Sequence, residues 1–403
     1  MLNAVALFIP IFLFIVFLEW FVSYKKQDKK YAAGNTTMNL TIGAIDQICS
    51  LFYFALLFLV MEYVYNHLRI ISISNIWFQW IGGYIAVDFL SYWYHRFSHR
   101  VNILWAGHVT HHSSELFNLS NGFRTSVFQG LNRIVFWAFL PVVGFSPIVL
   151  VIILKVSGVY DFLQHTEYIP KIKFFEKIFI TPSAHRVHHG KNDIYIDKNY
   201  GSTFVIWDKM FGTYQEETEV VKYGIKGNYI DNNPLLAIGY HYSYLWKSMK
   251  GSPLWSDKIK VLFMPPEWKP ISAISSKPLI NQERITLTPF LKKYAYFQLS
   301  FSIIGIITML VYKDFLSFWE IVLCSIFAVM AMVNITLIFN RNRNINFKKQ
   351  EVIRLTCALL FACISIFLNS TVYLWSIIIF LLGSLVLILN HEYFYKSLKR
   401  SIW

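Results

Sequence analysis

Apolar residues in this sequence gather into long blocks instead of the narrow stripes of amphipathic helices. Residues 4–23 (AVALFIPIFLFIVFLEWFVS) can cross roughly 30 Å of hydrocarbon as one helix. No basic stretch precedes them and no small-residue cleavage site follows, so an uncleaved span is expected. Lys25, Lys26, Lys29 and Lys30 come next, which puts that end on the cytoplasmic side. Blocks at about 41–65 and 76–94 predict two more spans, joined by a short connection that carries Arg69, and return the chain to the cytoplasm. Trp77, Trp80, Tyr84, Tyr92, Trp93 and Tyr94 around the third span read as interfacial anchors.

The next block, about 126–157, is interrupted by Pro141, Gly144 and Pro147. Histidine clusters flank it and can share a site only if both lie on one side of the membrane. The block is therefore expected to enter and return, as a hairpin or re-entrant pair turning at its helix-breaking residues. Residues 158–292 contain no span, and 216–292 read as a cytoplasmic loop or cap. Four more blocks follow near 294–312, 315–340, 354–369 and 371–390, with the basic stretches RNRNINFKKQEVIR and KSLKR on the cytoplasmic side if every block spans.

Composition agrees with this layout. The chain is 55% hydrophobic and 15% charged, with a mean hydropathy of +0.44, where a globular protein carries roughly 25% charged residues. The net charge of +14 would suggest nucleic acid in a soluble protein. Here the basic residues sit beside apolar blocks, where anionic lipid accounts for them and nucleic acid is excluded as a partner. Cys49, Cys324, Cys357 and Cys363 have neither a disulfide framework nor paired metal-ligand spacing.

Chemistry is concentrated between residues 95 and 189, which hold nine of the twelve histidines. Eight form three clusters: His95 and His99; His108, His111 and His112; His185, His188 and His189. Residues three or four apart share a helix face, so each cluster can aim its rings at one point. Packing eight imidazoles without a cation would strand donors and acceptors at about 1 to 3 kcal/mol each. A metal takes one nitrogen per ring and leaves the other to an acceptor behind it. Eight or nine ligands exceed one ion, so two metals are expected, of a kind that nitrogen ligation does not decide. Among acids, Asp88 lies inside a span on roughly the face of His95, and Glu115, Asp161 and Glu167 are candidate acceptors for a ligand N–H. The lone His67, His241 and His391 read as helix-packing residues.

The words HRFSH, HVTHH and HRVHH beside membrane spans resemble the fatty acid hydroxylase and sterol desaturase superfamily of integral-membrane di-iron oxygenases. WAGHVTHHSSELFNLS and TPSAHRVHHGKNDIYIDKNYGSTFVIWDKMFGTY look like its alkylglycerol monooxygenase branch, over about residues 85–215. The resemblance implies two iron ions, oxygen as co-substrate, a lipid substrate drawn from the bilayer, and tetrahydrobiopterin as the reductant. The eight clustered histidines would be the iron ligands. His165 in QHTEY would be a ninth ligand or lie beside the centre, and Tyr200 and Asn192 would orient ligands or substrate. No HPGG haem-binding motif occurs, so electrons would come from a small reductant or a separate donor. Arg100 stands where the animal enzymes of the branch carry an acid, which leaves the head group and reductant open.

The expected molecule is an all-α, multipass integral membrane protein with a cytoplasmic-face, histidine-rich two-metal site, in a bacterial inner membrane or the endoplasmic reticulum. Its expected parts are spans in 1–94, a histidine-box region at 95–215, the loop or cap at 216–292, and spans with a basic tail at 293–403. Expected alternatives are sterol or fatty-acyl hydroxylation or desaturation served by a redox protein, and a non-catalytic membrane metal-binding protein.

Overall fold

The computed structural model describes residues 2–226, 233–269, 287–339, 347–368 and 381–388. They form two units, residues 1–281 and 282–403. In the first unit α1 (Leu2–Lys26), α2 (Ala33–His67) and α3 (Ile76–Arg100) are long helices. They are followed by α4 (Asn102–His112), α5 (Val127–Trp137), α6 (Leu140–Val143), α7 (Pro147–Leu163), α8 (Pro182–His188), α9 (Ile206–Met210), α10 (Pro234–Gly251) and α11 (Trp255–Phe263). The second unit contains α12 (Pro289–Tyr312), α13 (Phe318–Phe339), α14 (Phe347–Leu368) and a helical stretch at 381–388. Among the described residues the β-structure is confined to two isolated bridges.

Among the described residues four helices are long and apolar enough to cross a membrane: 8–26 within α1, α2, α12 and α13. The third expected span differs. It forms as α3, but Gln79, Asp88 and its tyrosines and tryptophans leave it less apolar than those four. Nor are its aromatic residues all interfacial anchors. Trp77 is exposed, whereas Tyr92 and Tyr94 are buried, sharing a hydrogen bond with Thr213 Oγ1 (3.1 Å) and donating to the Gln129 carbonyl (3.1 Å) respectively. Tyrosine can be buried when its hydroxyl finds a partner, and here both do.

The interrupted block folds as α5, α6 and α7, turning at Gly144 with φ of 107°. A side chain there would meet the Ile71 carbonyl as well as the backbone strain of the left-handed region. Gln79 ties the turn down, donating to the carbonyls of Ile73 (2.9 Å) and Gly144 (3.1 Å) and accepting from Ser146 N (2.9 Å). Leu57, Met61, Val87, Trp137, Leu140 and Leu150 pack around this hairpin. Lipid is itself apolar, so close packing and internal hydrogen bonds, more than exclusion of water, specify such an arrangement.

Where a loop or cap was expected, α10 and α11 form a helical pair against α4. They secure the one-residue break between α3 and α4. Asn102 N donates to the Met264 carbonyl (3.1 Å), Asn102 Nδ2 donates to the Val261 carbonyl (3.0 Å), and His241 Nε2 meets Asn102 Oδ1 (2.7 Å). His241 is thus a packing residue, whereas His67 is exposed and stacks on Tyr63 one turn back in its own helix; His391 lies outside the described residues.

The basic end of α1 is fastened to the segment after α7. Lys30 pairs with Glu167 (3.2 Å), and the Tyr168 hydroxyl donates to Asp28 (2.6 Å). Deeper along α1, buried Glu19 accepts from Leu119 N (2.7 Å) and from the hydroxyls of Tyr31 and Thr166. The lysine-rich end of the first span therefore lies at the same end of the unit as residues 165–168.

In the second unit an apolar bundle encloses a buried polar knot. Arg354 bonds Glu351 (2.6 Å) and Gln298 (2.9 Å), Glu351 also accepts from Tyr294 and Asn334, and Gln298 donates to Ser384 (2.7 Å). Most of the expected last span, 371–390, and the KSLKR stretch lie outside the described residues.

Candidate metal centre

The three clusters come from three helices. His95 and His99 are one turn apart at the end of α3, and His108, His111 and His112 end α4. His185 and His188 lie in α8, with His189 as its C-cap. Thr181 caps α8, accepting from Ala184 N (3.4 Å), and Pro182 begins it, so this short helix is fixed from its first turn. His165 follows α7 directly, delivered by the return of the hairpin. His95 and His99 are half-buried and the other seven are buried.

The rings divide into two groups. His95, His99, His108, His112 and His188 converge in one; His111, His165, His185 and His189 converge in the other, and within each group the facing nitrogens lie within 4.8 Å of one another. Both α4 and α8 serve both groups because their histidines fall at i, i+3 and i+4. His108 and His112 turn to the first group and His111 to the second; His188 turns to the first while His185 and His189 turn to the second.

In the first group Nε2 of His108 is 3.0 Å from Nε2 of both His95 and His112, and His112 is 3.1 Å from His188. In the second, His165 is 3.3 Å from His111 and 3.1 Å from His185, which is 3.2 Å from His189. Nitrogens about 2.1 Å from a shared ion are roughly 3.0 to 3.4 Å apart in octahedral or tetrahedral arrangements, so these spacings suit a common cation.

The outward nitrogens reinforce this reading. Nδ1 of His95 donates to the Tyr200 carbonyl, Nδ1 of His188 to the Lys198 carbonyl and Nδ1 of His165 to the Asp161 carbonyl, each at 2.9 Å. A carbonyl can only accept, so these three rings carry their proton on Nδ1 and present a bare lone pair inward. Several bare nitrogens facing one another are held together by a cation and repel without one. His99 Nε2, buried, has no hydrogen-bond partner. Burial, reinforced for most by neighbouring imidazoles, holds His108, His111, His112, His185, His188 and His189 well below the usual histidine range and His165 at about 4, so the rings are neutral at neutral pH.

The other expected site residues take varied positions. Tyr200 packs its ring on His95, His99 and His188, and its buried hydroxyl is without a hydrogen-bond partner. Asp88 does not accept from a histidine. Its buried carboxylate takes Thr203 N (2.7 Å), Phe204 N (3.2 Å) and Trp207 Nε1 (2.8 Å), so it anchors the stretch after Tyr200. Asp161 reaches His165 through its backbone while its carboxylate accepts from Ser202 (2.6 Å). Glu115 is exposed, Glu167 pairs with Lys30, and Asn192 bonds the 219–222 segment, including the Val220 carbonyl at 3.0 Å. Among the described residues none of these three is bonded to a histidine ring.

Sequence reading passed over Asp197, Asn199 and Asp208. The Asp197 carboxylate lies 3.7 Å from His99 Nδ1, an electrostatic contact, and binds Arg100 at 2.6 Å. Against the effect of burial, His99 and Arg100 draw it down to about 2. Arg100, which also pairs with Glu267 (2.9 Å), is thereby occupied by neighbouring acids. Asn199 and fully buried Asp208 hold the loop from beneath: Asn199 donates to the Ala184 (3.0 Å) and Gln215 (2.8 Å) carbonyls, and Asp208 accepts from Tyr200 N and Gly201 N (both 2.8 Å). A signal was present in DKNYG, where Asp and Asn, the side chains that best tolerate positive φ, alternate.

The expected family resemblance holds. Residues 80–213, which include every histidine of both groups, match the family model described as fatty acid hydroxylase. The chain is similar to alkylglycerol monooxygenase of Homo sapiens, at 35% identity over 65% of this chain and 59% of that protein. It is similar to the Danio rerio protein of the same name, at 29% identity over 83% of this chain and 77% of that one. An ornithine lipid hydroxylase of Rhizobium tropici is 31% identical over 34% of this chain and 42% of its own length. The matched part thus spans under two thirds of the human relative. No solved structure matches the chain.

Proposed function

We propose that this chain is a membrane-embedded di-iron monooxygenase that hydroxylates a C–H bond of a long-chain lipid, with an alkylglycerol as the substrate. The observation that carries the reading is the division of nine histidines into groups of five and four with metal-ligand spacing. His95, His99, His108, His112 and His188 would hold one iron; His111, His165, His185 and His189 would hold the other. When bound, the iron pair supplies activation of dioxygen for insertion of one oxygen atom into an unactivated C–H bond.

The protein's part is to hold and to exclude. Carbonyls of Tyr200, Lys198 and Asp161 fix three rings in the ligating tautomer. The Tyr200 and Phe117 rings cover histidines of the first and second groups respectively, limiting water. Hydroxylation of the carbon beside an ether oxygen takes one O2, two electrons and two protons, and releases one water. The resulting hemiacetal breaks its C–O bond, giving a fatty aldehyde and a glycerol hydroxyl. Tetrahydrobiopterin is the proposed reductant, and the site faces the cytoplasm, a reading supported by the lysine-rich end of α1 at residues 165–168.

The relative that hydroxylates ornithine lipids, matched over 138 residues, supports a second reading, in which a lipid with a different head group is hydroxylated with electrons from a redox protein. The deciding experiment incubates purified, iron-loaded protein with alkylglycerol, free sterol, fatty acid and ornithine lipid, each with tetrahydrobiopterin or a ferredoxin system. Aldehyde release from alkylglycerol with the pterin is expected. Oxygen-dependent product from another lipid alone would move the assignment to the second reading. No product from any lipid, with iron bound, would favour a metal-holding protein without catalysis.

A further inference from the structure

The two histidine groups are not built alike. Behind the five-histidine group runs one short segment, Asp197 to Tyr200, which supplies carbonyl acceptors to two of the five rings and faces a third with a carboxylate. Asp197 presents its carboxylate to His99 Nδ1 (3.7 Å), Lys198 its carbonyl to His188 Nδ1 (2.9 Å), and Tyr200 its carbonyl to His95 Nδ1 (2.9 Å). To do so the backbone alternates in hand, with φ of 59° at Asp197 and 54° at Asn199. Positive φ is strained for residues other than glycine, least so for Asp and Asn. It persists here because Asn199 is held on both sides, its N–H donating to the Thr213 carbonyl (3.0 Å) and its Oδ1 accepting from Gln215 N (2.8 Å). Asp208 clamps the far end at Tyr200 N and Gly201 N (both 2.8 Å).

The four-histidine group has no such cradle. Its one carbonyl-anchored ring of this kind is His165, held by its own helix end at Asp161 (2.9 Å); each group also has one ring, His108 in the first and His111 in the second, whose buried Nδ1 has no partner. Among the described residues no carboxylate contacts a ring of this group. It also offers one nitrogen fewer.

We infer that the Asp197–Tyr200 loop makes the two metal positions unequal: the five-histidine position is preorganised and retentive, and the four-histidine position is the more open and exchangeable. The inference rests on the two-iron reading. Acceptors behind a ligand ring fix its tautomer and raise its basicity, and losing one lowers metal affinity about 10- to 100-fold. Asp197 is accordingly a positioning residue, acting through His99, with Arg100 holding its carboxylate in place (2.6 Å).

The test is anaerobic titration of metal-free, detergent-solubilised full-length protein with ferrous ion, read by bound iron equivalents and by Mössbauer spectra of the iron-57 form. Wild type is expected to fill two positions in sequence, with a distinct spectral component at each. Asp197→Asn should weaken the first-filling position by about 10- to 100-fold and leave the second unchanged, while Asp197→Glu should recover most of the loss. His165→Ala should do the reverse, emptying the late-filling position alone. Equal weakening of both positions by Asp197→Asn in protein that still elutes as a folded species, or two equal positions in wild type, would overturn the inference. If wild type binds a single equivalent, the two-iron reading itself fails, a different result from either of these.

Discussion

At the scale of single residues, the site depends on which nitrogen of each ring is bare. His188 is central, since its Nε2 is 3.1 Å from His112 and its Nδ1 is committed to Lys198. His188→Ala should lower bound iron and abolish product formation, checked by metal analysis and turnover on the same sample. Asp88 illustrates a different sensitivity. Replacing it by alanine strands up to three donors, at Thr203, Phe204 and Trp207, at roughly 1 to 3 kcal/mol for each buried group left unpaired. A lowered melting temperature in detergent is expected, with iron lost at lower temperature than in wild type. The sequence made the histidines legible because their spacing repeats the helix period. It did not disclose Asp197 or Asn199, since an acceptor contributed by an irregular loop has no period to betray it. Asp88 stood out as a buried acid, but its partners lie 115 residues and more away and could not be read from its neighbours.

At the scale of elements, the return of the chain at Gly144 joins the second and third clusters. Pro141, Gly144 and Pro147 located that turn in the sequence, because helix breakers inside an apolar block mark where a helix has to end or bend. The α10–α11 pair was not legible, being mixed in polarity and lacking the apolar density of a span. Gly144→Ala should cost about 1 to 2 kcal/mol for the left-handed backbone alone, before its collision with Ile71. Reduced expression of folded protein and lower iron occupancy together would check this, although Gly144 touches no histidine. In the second unit, removing Arg354 alone leaves Glu351 buried without its cation. Breaking such a pair costs roughly 3 to 5 kcal/mol, whereas replacing both members can be nearly neutral. Arg354→Met should therefore lower the melting temperature of the solubilised protein more than Arg354→Met with Glu351→Gln.

At the scale of the whole molecule, charge decides orientation and packing decides closure. Lys25, Lys26, Lys29 and Lys30 share one end of the first unit with the 165–168 segment. A cysteine introduced at Lys29, in a background free of other accessible thiols, should be protected from an impermeant reagent applied outside intact cells. Labelling without permeabilisation would place that end, and the site with it, on the outer face. The pairing of Glu19 with Leu119 and Thr166 has a consequence in time. Helix α1 is clasped to chain made 100 and 147 residues later. Those later residues flank His111, His112 and His165. The clasp cannot shut until the hairpin has been inserted, so the four-histidine group is finished only after synthesis has passed it. On the two-iron reading, filling of the second position is then a late maturation step: chains stalled at residue 166 still lack His185 and His189 and should hold no iron there, while full-length Glu19→Gln chains should take it up more slowly than wild type.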